Sequence, residues 1–242
     1  MDRRNFVETC VKSSACLSAG VAASAALGSL TPVFAADAKP RAYAKVLLTN
    51  ELGDPLKASS LKPQTNYVFN YPFESTPVFL LDLGHAINGT TLATKTKESY
   101  QWPGGVGKQK SVVAFSAICA HHLVYPTKEV SFISFRKTKS SKGVQDNLIH
   151  CCADHSQYDP AKGAQVLSGP ASQPLCAVLL AYDPKKDTLT AYATLGGELF
   201  DDFFKKYDAK LSLEVGSKAR STVVAQAIVK PLEQYCRNPI QC

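Results

Sequence analysis

Two short motifs in the second half of the chain combine thiol and imidazole side chains at spacings that suit a bound metal. The first is Cys119-Ala120-His121 and the second is Cys152-Ala153-Asp154-His155. Each motif follows an apolar run typical of a buried strand, so each would lie on a loop held at a strand end. A rigid loop suits a site whose geometry must not change with its charge. The sequence therefore predicts one metal centre with four ligands: Cys119, His121, Cys152 and His155.

This donor set suits two kinds of metal centre. Two thiolates and two imidazoles can hold one structural zinc ion. The same donors can also hold a [2Fe–2S] cluster in which both thiolates bind one iron and both imidazoles bind the other. With neutral imidazoles the oxidised cluster is uncharged and the reduced cluster carries one negative charge, so burying the added electron costs little. Imidazole ligands raise the potential of such a cluster to between about −150 and +300 mV.

The residues that follow the second motif favour iron and sulfur over zinc. Ser156-Gln157-Tyr158-Asp159 comes directly after it, and Gly169-Pro170-Ala171 comes further on. Over about residues 60–195 the chain resembles the Rieske proteins of quinol–cytochrome oxidoreductase and arsenite oxidase complexes. The resemblance implies one [2Fe–2S] cluster, with Ser156 and Tyr158 as hydrogen-bond donors to its sulfur atoms. It also implies that the loop with Gly169 and Pro170 covers the cluster.

The second motif permits another assignment of ligands. In the Rieske family one residue separates the second histidine from the serine, whereas His155 and Ser156 are adjacent here. If the motif is aligned on Ser156 instead, Cys151 becomes the ligand and Asp154 stands in the histidine position. Because aspartate is a poor substitute for histidine at this cluster, the sequence favours Cys152 and His155. Cys151 is then interpreted as a buried apolar thiol.

The remaining cysteines have structural interpretations. The quinol-type Rieske proteins carry one extra cysteine in each motif, joined as a disulfide, but Val124 and Asp154 stand at those positions here. Cys176 lies in an apolar run and is predicted to be in the core. Cys236 and Cys242 are close enough in sequence to form a small disulfide near the C-terminus. In the first motif, His122 is interpreted as a solvated or hydrogen-bonded neighbour of His121.

The elements that must position these motifs are mostly strands. Short apolar or alternating segments separated by turn residues predict strands at 67–71, 77–81, 112–118 and 130–135 and a hairpin at 175–193. This pattern predicts an all-β fold of stacked antiparallel sheets, with a small cluster-binding subdomain by the Rieske resemblance. From residue 198 the pattern changes, and helical spacing at 221–235 predicts a partly helical C-terminal segment that packs on the domain.

Three parts of the chain are therefore predicted, namely a signal at 1–38, a domain at 39–197 and an extension at 198–242. The signal begins with Arg3-Arg4 and Phe6, continues with an uncharged stretch rich in Ala, Ser and Gly, and resembles a twin-arginine export signal. A plain secretory signal is one alternative. An uncleaved membrane anchor is another, since residues 13–36 carry no charge. Export predicts a location in the periplasm or on the periplasmic face of the inner membrane.

Composition and charge limit the function further. Apolar residues make up 45% of the 242 residues, and the net charge is +7 without a Lys/Arg run typical of nucleic-acid binding. The Rieske resemblance implies an electron-transfer subunit rather than a stand-alone enzyme, with a cytochrome of the b or c type, a molybdenum subunit or a quinol as redox partner. A zinc-stapled periplasmic binding module is the alternative. An oxygenase is disfavoured because His85, His122 and His150 lack the spacing of a second iron site.

Overall fold

The computed structural model of the protein describes residues 39–137 and 147–242. The signal predicted at 1–38, with its alternative as a membrane anchor, lies outside the described residues. Within the described ranges, no helix combines the length and the apolar character that crossing a membrane requires. The two α-helices there are α1 (Leu199–Glu214) and α2 (Leu232–Tyr235). The sixteen strands there are β1 (Arg41–Thr49), β2 (Tyr67–Asn70), β3 (Pro77–Asp82), β4 (Asn88–Ala93), β5 (Ser99–Gly104), β6 (Val112–Ser116), β7 (Val130–Ser131), β8 (Ile133–Arg136), β9 (Leu148–Cys151), β10 (Gln157–Asp159), β11 (Gln165–Ser168), β12 (Ala177–Asp183), β13 (Thr188–Leu195), β14 (Ala225–Ile228), β15 (Lys230–Pro231) and β16 (Asn238–Pro239).

The main sheet has eight strands in the order β14-β1-β13-β12-β6-β3-β2-β15. Its central strands β3 and β6 are almost entirely apolar and buried, as expected for strands covered on both faces. They pair antiparallel, with Phe79 opposite Phe115. Strands β12 and β13 form the hairpin that the sequence predicts. Strand β6 lies inside the main sheet and ends at Ser116, three residues before Cys119 of the first motif.

The second motif lies in a separate four-stranded sheet with the order β11-β10-β9-β8. Strands β9 and β10 pair antiparallel, and the loop between them carries the motif. One hydrophobic cluster extends through both sheets, since it contains Phe115 of the main sheet together with Ile149 and Tyr158 of the small sheet. The predicted all-β fold class, with stacked sheets and a small subdomain, is confirmed.

The C-terminal segment differs from the prediction in the position of its helix. Helix α1 covers Leu199–Glu214, where apolar side chains recur every three or four residues and are buried: Leu199, Phe200, Phe203, Phe204 and Leu211. The helix predicted at 221–235 was wrong. Most of that segment is extended, with Val224 64% exposed, and strand β14 pairs with the edge of β1. Pro231 has no N–H to donate, and only the short α2 follows it.

Candidate metal centre

The first loop begins three residues after strand β6. Cys119 is fully buried, and its N–H donates to the carbonyl oxygen of Val124 at 2.9 Å. The N–H of Leu123 donates back to the carbonyl of Cys119 at 2.9 Å, and Leu123 takes a left-handed φ of +57°. These two hydrogen bonds close a tight loop over residues 120–122. The loop places His121 at its tip, where the side chain remains 36% exposed.

The second loop connects β9 to β10 and is closed in a similar way. Cys151 ends β9, and its N–H donates to the carbonyl of Ser156 at 2.9 Å. The N–H of Ser156 donates to Asp154 Oδ1 at 2.9 Å, which is a side-chain turn that aspartate favours. His155 adopts a left-handed φ of +61° and is exposed, whereas the side chain of Asp154 is only 2% exposed. The loop therefore presents Asp154 to the interior and His155 to solvent.

The two loops bring four donor groups together. The donor atoms of Cys119, Cys151 and Asp154 all lie within 4.8 Å of one another. Asp154 Oδ2 lies 3.2 Å from Cys119 Sγ and 3.0 Å from His121 Nδ1. His122 packs its ring 4.1 Å from that of His121 and forms a second group with His121 and Asp154. The arrangement gathers two thiols, a carboxylate and an imidazole at one point.

Two of the four predicted ligands are at this point and two are not. Cys119 and His121 lie together, but Cys152 forms a disulfide with Cys242. A disulfide sulfur is not a thiolate and cannot serve as an anionic ligand. Among the described residues, His155 belongs to neither group of potential metal ligands. The structure therefore does not support the choice of Cys152 and His155.

The physical reason is the alternation of side chains at the end of β9. The Cys151 side chain is buried beside Cys119, and the next residue points to the other side, where the chain terminus lies. There Arg136 Nη2 lies 2.7 Å from Cys152 Sγ, and Arg136 Nη1 donates to the carbonyl of Cys242 at 2.6 Å. The disulfide that the sequence allows between Cys236 and Cys242 does not form, because Cys242 pairs with Cys152, and Cys236 is a buried free thiol.

Cys151 and Asp154 are the residues that the sequence-based assignment passed over. The signal that identifies them is alignment of the motif on Ser156. In this alignment, His155 is the single residue between Asp154, at the ligand position, and Ser156. His155 has a left-handed backbone, the conformation that glycine favours, so this position belongs to the turn.

Tyr158 and the segment 169–171 pack against the two loops. Tyr158 is fully buried, and its hydroxyl oxygen lies 3.3 Å from Cys119 Sγ and accepts the N–H of Ala120 at 3.1 Å. Ser156 Oγ accepts the N–H of Ala171 at 3.2 Å. Gly169 has a φ of +91°, and a Cβ there would lie 2.5 Å from Ser156 Cα. A glycine is thus required for residues 169–171, including the exposed Pro170, to approach the second loop.

Hydrogen bonds set the ionisation of the donor groups. A hydrogen bond from the Cys151 thiol lowers the pKa of Cys119 against the opposing effect of burial, and the Tyr158 hydroxyl adds to the lowering. The pKa of Cys151 is raised by that hydrogen bond to Cys119 and by burial. Burial opposes ionisation of Asp154, but hydrogen bonds from Ser156 and the two thiols outweigh it and lower the pKa of this carboxyl to about 2. A metal at this point would therefore meet an ionised carboxylate and displace thiol protons.

The chain was compared with protein-family models and with solved structures. No protein-family model matches the chain. The chain is similar to the crystal structure of the soluble domain of the Rieske protein II (soxF) from Sulfolobus acidocaldarius. The two share 26% sequence identity over 63% of this chain and 78% of that chain, with a TM-score of 0.46.

Proposed function

We propose that this protein is a single-electron carrier that holds one [2Fe–2S] cluster between its two loops, with Cys119 and Cys151 as the thiolate ligands. One observation carries the proposal: two loops from different sheets bring two buried thiols, an imidazole and a carboxylate together. The thiolates of Cys119 and Cys151 would bind one iron, and the nitrogen and oxygen donors of His121 and Asp154 would bind the other, which suits a cluster with two unlike irons. Such a cluster takes up and releases one electron at a time.

The protein side chains around the donors support this role. The Tyr158 hydroxyl can donate to the Cys119 thiolate, which withdraws electron density from it and stabilises a reduced centre. Of the four donor groups, only His121 is substantially exposed. Its ring is therefore the place where a redox partner can approach the centre most closely.

The proposed partners rest on the resemblance of the two motifs, and the proposed location rests on the N-terminal segment. The proposed partners are proteins that exchange single electrons, such as a cytochrome of the b or c type or a molybdenum subunit, or else a quinol. The proposed role is that of a subunit in a respiratory oxidoreductase. The Arg3-Arg4 segment supports export by the twin-arginine route to the periplasm, and the uncharged stretch after it supports association with the membrane.

A single zinc ion is the second candidate, and one distance favours it. Asp154 Oδ2 and Cys119 Sγ are 3.2 Å apart. A tetrahedral zinc ion would hold a sulfur and an oxygen ligand roughly 3.5 Å apart, given bond lengths of about 2.3 and 2.0 Å. In that case the protein would be a zinc-stapled binding module without a redox role.

Metal and sulfide analysis separates the two candidates. The full chain is produced in a host with a twin-arginine system, purified without oxygen, and analysed for iron, zinc and acid-labile sulfide. We expect about two irons and two sulfides per chain, and an electron paramagnetic resonance signal after reduction. A Cys119→Ser variant is expected to lose the iron, the sulfide and the resonance signal. One zinc per chain with no sulfide and no signal would contradict the proposal.

A further inference from the structure

We propose that Asp154, and not a second histidine, is the fourth ligand of the centre. The donor set would then be two thiolates, one imidazole and one carboxylate, from Cys119, Cys151, His121 and Asp154. This inference rests on the proposed function, because it assigns a ligand of the same cluster.

The carboxylate of Asp154 is placed and held as a ligand would be. Oδ1 accepts the N–H of Ser156, which fixes the orientation of the group. Oδ2 is directed at the site, 3.0 Å from His121 Nδ1 and 3.2 Å from Cys119 Sγ. An aspartate with one oxygen bound to the backbone and the other aimed at two potential ligands is pre-organised to bind a metal.

The neighbouring histidine lacks these features. His155 is exposed and occupies the left-handed backbone position of the turn. To bring its ring to Cys119, the loop closed by the hydrogen bond from Cys151 N to Ser156 O would have to rearrange. The same turn that directs Asp154 inward therefore directs His155 away.

Charge gives an independent argument. A buried carboxylate is costly unless hydrogen bonds or an opposite charge compensate it, and the hydrogen bond from the Cys119 thiol to Asp154 is lost once a metal displaces the thiol proton. Within the described ranges, the only ion pair of Asp154 is with His121. A histidine that binds a metal is a neutral imidazole and cannot compensate the carboxylate. A bound ferric iron would supply the missing positive charge, and carboxylate together with imidazole is a common donor set for iron.

The assignment changes the expected midpoint potential of the centre. With Asp154 as ligand, the donor set carries three negative charges instead of the two of a set with two cysteines and two histidines. An added electron is then held less firmly, so the midpoint potential falls below that of the two-histidine centre.

Counting the histidine nitrogens bound to the cluster tests the assignment. The full chain is labelled with ¹⁵N-histidine, reduced, and studied by electron–nuclear double resonance, with its midpoint potential measured by titration. We expect one bound histidine in the wild type. Asp154→His is expected to show two and to shift the midpoint potential upward. His155→Ala and His122→Ala serve as matched controls and should keep the iron content and the single nitrogen of the wild type.

The possible failures can be told apart. Two bound histidines in the wild type would overturn the inference while leaving the proposed function intact, and so would loss of the cluster in His155→Ala or His122→Ala. Absence of iron and sulfide from the wild type would overturn the proposed function, and this inference with it. Because misfolding also removes iron, thermal unfolding of each variant is recorded. Asp154→His tests the assignment by the gain of a second bound histidine nitrogen rather than by a loss of iron.

Discussion

At the scale of single residues, Tyr158 contacts the sulfur atom of Cys119 but is not itself among the proposed ligands. Its hydroxyl lies 3.3 Å from Cys119 Sγ and also accepts the N–H of Ala120. The two contacts fix the hydroxyl, so its proton is directed at the sulfur atom. A hydrogen bond to sulfur is stronger when the centre carries more negative charge, and it therefore favours the reduced state.

Tyr158→Phe is expected to lower the midpoint potential while the iron stays bound. If the hydrogen bond favours the reduced state by about 1 kcal/mol, the shift is about 40 mV for one electron. A potentiometric titration followed by electron paramagnetic resonance measures it. Tyr182→Phe is the control, since that hydroxyl donates to Asp187 on the β12–β13 hairpin. An unchanged potential in Tyr158→Phe would contradict the role assigned to the hydroxyl.

At the scale of elements, the second loop depends on the segment that packs on it. The N–H of Ala171 donates to Ser156 Oγ, and Gly169 lies so close that a Cβ would meet Ser156 Cα at 2.5 Å. This neighbour is backbone and cannot move aside by a change of rotamer. The covering segment and the β9–β10 loop therefore support each other, and a change in either is transmitted to Asp154 through Ser156.

Gly169→Ala is expected to destabilise the protein more than the same change at a glycine without close neighbours. Gly53 has a similar φ of +86°, but nothing lies within 4 Å of its Cβ position. Gly53→Ala should cost only the left-handed backbone, about 1–2 kcal/mol. Gly169→Ala adds the overlap with Ser156 and should cost about 3 kcal/mol or more in the free energy of unfolding. If denaturant unfolding showed the same loss of unfolding free energy in both variants, the close approach of Gly169 to Ser156 would not contribute to stability.

At the scale of the whole molecule, the C-terminal segment supports both loops of the centre. Lys206 of helix α1 donates to the carbonyl of His122 at 2.6 Å, next to the first loop. Strand β16 runs parallel to β7, and the chain then ends in the disulfide that joins Cys242 to Cys152 of the second loop. The bridge expected between the motifs of quinol-type Rieske proteins is absent from this sequence. Here the chain terminus forms a covalent link to the second loop instead.

Cys242→Ser is expected to lower stability without loss of the cluster. The disulfide joins residues 90 positions apart, and removal of such a cross-link typically costs about 2–4 kcal/mol. Denaturant unfolding and iron analysis measure the two effects. A reductant should destabilise the wild type by a similar amount and should leave Cys242→Ser unaffected. If Cys152→Ser lost the iron while Cys242→Ser kept it, Cys152 would regain its place as a candidate ligand.

The local sequence by itself determined the central strands and the close placement of Cys119 and His121. Apolar runs such as Val112–Ser116 form strands because their side chains can be buried on both faces of a sheet. The spacing of Cys119 and His121 is short enough that a single loop sets their geometry, and the structure keeps the two side by side with Asp154. For these features the relevant interactions lie within a few residues.

Only the tertiary structure places Cys151 and Asp154, rather than Cys152 and His155, beside Cys119 and His121. Neighbouring residues at a strand end face opposite sides, so a shift of one residue exchanges the buried and the exposed side chain. Which side is buried depends on pairing with distant strands and on Cys242, 90 positions away. The helix at Leu199–Glu214 carries apolar residues at helical spacing that the sequence analysis did not use, but the packing of its buried face against distant residues such as Tyr125, whose ring lies 5.0 Å from that of Phe203, is a tertiary feature. Spacing along the chain cannot reveal such contacts, because they exist only after the sheets have assembled.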